Sequence, residues 1–131
     1  MGYYISTIVQ NKSFDEATEL VTEKLKAEGF GVLCEIDVSG TLKKRIDVDF
    51  KKYKILGACN PQFAHKALQS EDKIGVLLPC NFVVEEHENG EIEVSAVDPI
   101  VSMSGVDNAG LAELATEVKD KLSRVIENLN A

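Results

Sequence analysis

Two short segments each set a thiol beside a carboxamide at a break in the backbone: Cys59-Asn60-Pro61 and Pro79-Cys80-Asn81. A thiolate is a nucleophile and a soft-metal ligand, and a carboxamide both donates and accepts hydrogen bonds. Cys59 directly precedes Asn60, a good N-cap residue, and Pro61 suits the first helical position. Amides at a helix start carry partial positive charge, which would stabilise a thiolate at Cys59. The plainer reading is a small buried residue packed under the helix, the commoner fate of an unpaired cysteine. Cys80 shares a strand phase with Ile74, Val76, Leu78, Phe82 and Val84, which places it in the core. Pro79 cannot donate a ladder hydrogen bond, so a bulge or edge is expected there, turning Cys80 or Asn81 toward a cavity.

The pair says more than either member. If the two strands are neighbours, the thiols approach one another, and two thiolates supply half of a soft-metal site. A disulfide would need the Cα atoms within roughly 7 Å. His65 is the nearest imidazole, but six residues after Cys59 is not a familiar zinc spacing, so Cys59, Cys80 and His65 form only a weak metal set. His87 and the Glu85-Glu86 pair read as solvated groups at a strand end. Asn60 has a ready role as a helix cap, whereas Asn81 has none. Cys59, Asn60, Cys80 and Asn81 together suggest a site for a small molecule or a soft metal ion. A thiol redox enzyme or sensor, with Cys59 attacking and Cys80 resolving, is an alternative. So is a homodimeric interaction module without small-molecule chemistry. No general base or complete catalytic set can be named, and the residue types specify no cofactor.

These segments must be positioned by the elements around them. Residues 3–10 alternate as a strand, with Tyr3, Ile5, Thr7 and Val9 on one face. Ser13 and Glu16 form a capping box, Phe14, Ala17, Val21 and Leu25 recur at helical spacing, and Gly29 stops a helix over about 14–28. Residues 31–38 read as a second strand, with Val32, Cys34, Ile36 and Val38 facing one way and Glu35 and Asp37 the other. Thr41 to Arg45 suggest a helical turn, and Ile46 to Lys52 a connection. Tyr53 to Cys59 form a third strand, followed by a short helix through Phe63 and Leu68. Strand is expected again from Ile74 to Leu78 and from Phe82 to Glu86, then a hairpin turn at Glu88-Asn89-Gly90 and a partner strand through Ile92, Val94 and Ala96. A final helix, from Asp107 or Asn108 to about Leu129, carries an apolar stripe. Two amphipathic helices on one face of an antiparallel-rich sheet make an α+β sandwich.

Composition narrows the function classes. The 131 residues suit a single domain spanning 1–131 with a hydrophobic core that needs no disulfide staples. A net charge of −8 opposes nucleic acid and anionic membranes. Lys43, Lys44, Arg45, Lys51, Lys52 and Lys54 form a local basic cluster, but Asp47 and Asp49 dilute it to an ordinary solvated surface. Three cysteines without a C-x-x-C pair, no apolar run of membrane length and no signal-like start point to the cytoplasm. No phosphate loop, H-E-x-x-H or G-x-S-x-G motif is present.

The segments Tyr53-Lys54-Ile55-Leu56-Gly57-Ala58-Cys59-Asn60-Pro61 and Ile74-Gly75-Val76-Leu77-Leu78-Pro79-Cys80-Asn81 resemble the signature of the family catalogued as domain of unknown function 302. The likeness extends over most of the chain, including the first helix, the Asp98-Pro99 step and the last helix. It implies a TATA-box-binding-protein-like β-α-β(4)-α architecture, a curved antiparallel sheet with helices on one face. It also implies bacterial or archaeal origin and makes a homodimer expected. It implies no reaction, and a shared fold does not carry DNA binding with it.

Overall fold

The computed structural model describes residues 2–131. Five strands, β1 (Tyr4–Val9), β2 (Gly31–Asp37), β3 (Tyr53–Cys59), β4 (Cys80–Glu86) and β5 (Ile92–Val97), form one sheet in the order β1-β5-β4-β3-β2. Every neighbouring pair is antiparallel. The chain is therefore α+β, in a β-α-β(4)-α order with short helices inserted between strands.

Helices α1 (Phe14–Ala27) and α5 (Ala109–Asn128) lie on one face of the sheet. Phe14, Ala17, Val21 and Leu25 from α1 meet Val118, Leu122, Val125 and Ile126 from α5 over Leu56, Phe82, Val84, Val94 and Ala96. The periodicities explain this. Spacings of three and four bring the helical residues to one stripe, and alternation sends every second strand residue to the same side. Each large side chain so buried contributes roughly 1.5–3 kcal/mol. Arg124 Nε lies 3.1 Å from Glu28 Oε1 between the two helices. Asn130 fastens the chain end to β1, accepting from Gln10 N at 2.9 Å and donating to the Ile8 carbonyl at 2.8 Å.

The expected first helix begins with its capping box, Ser13 and Glu16 each accepting the other's backbone N–H. Gly29 follows it with φ +84°, the left-handed conformation glycine tolerates. Asn60 caps α3 (Pro61–Ser70), and Asn108 caps α5.

Several expectations are corrected. Residues 72–77 form a 3₁₀ helix instead of a strand, because Ile74 alone is buried there, packing on Ala67 and Leu111 away from the sheet. β4 accordingly starts at Cys80, in regular register with Ala58, and no bulge intervenes. The bulge lies instead in β2, where the register shifts between Val32 and Cys34. Val32 therefore packs on the core side, while Cys34 and Ile36 turn to the opposite face. Val38 belongs not to that strand but to α2 (Val38–Ile46), whose N-cap Asp37 accepts from Gly40 N. A short α4 (Pro99–Ser102) was not anticipated. Its cap, the buried Asp98, accepts from Ile100 N at 3.0 Å and pairs with Lys119 of α5 at 2.9 Å.

Candidate functional site

The two Cys-Asn segments meet at one end of the sheet. Ala58 of β3 faces Cys80 of β4, so Cys59 and Cys80 sit on adjoining strand ends. Both line a cavity of about 40 Å³ enclosed by α3, α5 and the residues around Leu78. Asn60, Phe63, Met103 and Leu111 complete much of its wall, and no charged side chain contributes. The volume accommodates a few atoms, far less than the several hundred Å³ of a site for a larger organic ligand.

Burial, and then the neighbouring Cys59, pushes the Cys80 thiol up from an ordinary 9.0 to about 11. Cys80 is thus a neutral thiol near pH 7 and gives up its proton only to a partner that repays the burial of charge. At the α3 start, Gln62 N and Phe63 N donate to Asn60 Oδ1 at 3.2 and 3.3 Å. The carboxamide, not the Cys59 sulfur, therefore occupies that helix end. The Asn60 amide nitrogen also rests against Gly29, where an added Cβ would lie only 3.1 Å away.

Asn81 and His65 do not join this cavity. Asn81 faces Gly57 across the β3–β4 ladder, one residue out of phase with Cys80, and so lines a groove on the other face of the sheet. Its side chain converges there with Cys34 Sγ and Pro79 over the bare backbone of Gly57, whose missing Cβ would lie 2.6 Å from that sulfur. His65 is exposed on α3. The cavity-lining donors are thus Cys59, Asn60, Cys80 and a residue the sequence did not single out, Met103. Met103 lies 23 positions beyond Cys80, after the unanticipated α4, so no local spacing announces it.

A second cluster corrects the solvated reading of His87 and Glu85. Glu85 and Glu93 are direct cross-strand partners on β4 and β5, and His87 Nε2 is 2.8 Å from Glu93 Oε1. All three are partly buried. Lys51 Nζ reaches Glu85 at 2.7 Å, and this bond holds the Lys51 amine above its ordinary value. Burial first, then Glu85, raises the Tyr53 phenol beside them. A legible signal existed: Glu85 near the end of β4 and His87 just beyond it are two residues apart, and the turn at Glu88-Asn89-Gly90 folds Glu93 back onto them.

Fold and cavity together define a helix-backed antiparallel α+β domain with a small thiol-lined cavity at one end of its sheet. The chain belongs to the family described as "Domain of unknown function DUF302", which matches residues 5–129. It is also similar to an uncharacterized conserved DUF302 protein from Bacillus stearothermophilus, known from its crystal structure. The two share 30% sequence identity, the alignment covers 97% of this chain and 98% of that one, and the TM-score is 0.89. No curated protein matches the chain. No helix among the described residues is long and apolar enough to cross a membrane.

Proposed function

We propose that this domain is a binding module for a very small, thiophilic ligand, of which a monovalent soft metal ion such as Cu(I) is the type. The carrying observation is that Cys59, Cys80 and Met103 line one apolar cavity of about 40 Å³. Thiolate and thioether donors select soft ions, and the volume excludes larger organic ligands. Cys80 arrives protonated, so loading a metal releases a proton to water. Asn60 contributes shape and a carboxamide at the rim rather than a metal bond. The same neutral thiol weighs against the resolving role that the thiol-enzyme alternative gives Cys80, because resolution also needs a thiolate.

The test is transfer of Cu(I) from a chromophoric chelator, in a Cys34→Ser background that removes the exposed thiol. The parent protein should take one equivalent. Cys59→Ser and Cys80→Ser should each lose at least about tenfold in affinity while keeping the circular dichroism of the parent, and Met103→Leu should lose less. Cu(I) left on the chelator, or taken up equally by the serine variants, would refute the proposal.

A homodimer is the second reading, favoured by exposed apolar side chains at the β2 edge, at the end of α2 and in the segment that follows it. Leu33 is 70% exposed, and Ile36, Ile46, Val48 and Phe50 are exposed as well. Such residues on an edge strand invite a partner.

A further inference from the structure

Glu85, His87 and Glu93 lie on the sheet face opposite the helices, well apart in kind from the thiol cavity. Each offers one ligand atom, and these atoms all lie within 4.8 Å of one another. The arrangement is costly without a cation. Glu85 and Glu93 face each other directly in the β4–β5 register, and like charges so placed repel. Their side chains are only 16% and 24% exposed, so water screens that repulsion incompletely. The chain answers with Lys51 on Glu85 and His87 on Glu93. Lys51 comes from the segment before β3 on a long side chain, so it is a resident that can leave. Both carboxylates also border a groove of about 360 Å³ whose wall includes Tyr4, Tyr53, Asn81 and Ser95. An ion held there would keep open positions toward that groove.

We infer that Glu85, His87 and Glu93 form a second metal site, for a borderline divalent transition ion of the zinc type. Two carboxylates and a neutral imidazole balance a 2+ charge. The donors, within 4.8 Å of one another, must draw closer to share one ion at the roughly 2.0–2.2 Å that zinc requires. One nitrogen and two oxygens are too few hard donors for a calcium cage, and imidazole disfavours magnesium. Binding releases the Lys51 ammonium from Glu85 into water. The site does not depend on the cavity reading above, because it uses none of its residues.

Co(II) is the probe that separates the two sites. It is titrated into tag-free protein and followed by absorption. Nitrogen and oxygen donors give weak d–d bands, whereas thiolates add intense sulfur-to-metal charge transfer. One equivalent should bind with d–d bands alone. Glu93→Gln and His87→Ala should each weaken binding at least tenfold, Lys51→Met should strengthen it several-fold, and Cys59→Ser/Cys80→Ser should leave it unchanged. Glu93→Gln removes a like charge from the pair, so the apo variant should melt no lower than wild type, and its loss of Co(II) is then not a loss of fold. The inference is overturned by the absence of saturable binding, by charge-transfer bands, or by Glu93→Gln binding as wild type does.

Discussion

The cavity lining makes Cys80 the residue whose chemistry is most altered by its surroundings. Its thiol is raised in the folded protein to about 11 from 9.0, chiefly by burial. The unfolded chain therefore releases this proton first as pH rises. Stability due to the protonated thiol is complete below pH 9 and is lost as pH climbs toward 11. The difference is worth on the order of 2–3 kcal/mol across that interval. Lys51, Lys54 and Tyr53 also titrate high, so total stability above pH 9 mixes several groups. Subtraction isolates one of them. Urea midpoints at pH 8 and pH 10.5 should show wild type losing more stability than Cys80→Ala does. Parallel losses in the two proteins would mean that the thiol titrates as it does in the unfolded chain.

At the scale of the element, Asn60 shows how one side chain can look like a ligand and be a cap. It accepts from two amides of the first turn of α3. Asn60→Ala should cost about 1 kcal/mol in urea unfolding, and Asn60→Asp, an equally good cap, should restore nearly all of it. If Asn60→Asp were as unstable as Asn60→Ala, the contact of its amide nitrogen with Gly29, not the cap, would be what matters. The cap was legible in the sequence because Asn before Pro at a strand end has few other uses. The capping box of α1, the glycine after it and the stripe of α5 were legible for similar reasons, each being a local pattern with a local cause. The β2 bulge was not, since Val32 and Cys34 look alike to a period of two and only pairing with β3 reveals the slip. The 3₁₀ turn at Asp72–Leu77 was missed because Ile74, Val76 and Leu78 mimic strand alternation, although Val76 is 83% exposed. Cys59 and Cys80 were foreseeable as neighbours once their strands were paired. Met103 and the Glu85–His87–Glu93 cluster required the tertiary fold or the hairpin register.

For the whole molecule, two features act against each other. The chain carries a net charge of −8, so two copies repel at low ionic strength. Its β2 edge meanwhile presents Leu33 and Ile36 to water, with Ile46, Val48 and Phe50 exposed further along the chain. The bulge in β2 and the charges of Glu35 and Asp37 discourage simple continuation of the sheet from one copy to another. Association is therefore expected through the apolar side chains rather than through a strand ladder. Apolar contact is little weakened by salt, while repulsion between like-charged bodies fades once the Debye length falls below about 10 Å, near 0.1 M. Sedimentation should thus show a dimer that strengthens between 0.02 and 0.5 M NaCl. Leu33→Lys puts a charge into the contact and should leave a folded monomer at both ionic strengths. A dimer that weakened with salt would instead be held by ion pairs, with the basic residues Lys43 to Lys54 on one copy facing acidic groups on the other. A wild-type monomer throughout would mean that the exposed apolar residues at this edge serve no self-association.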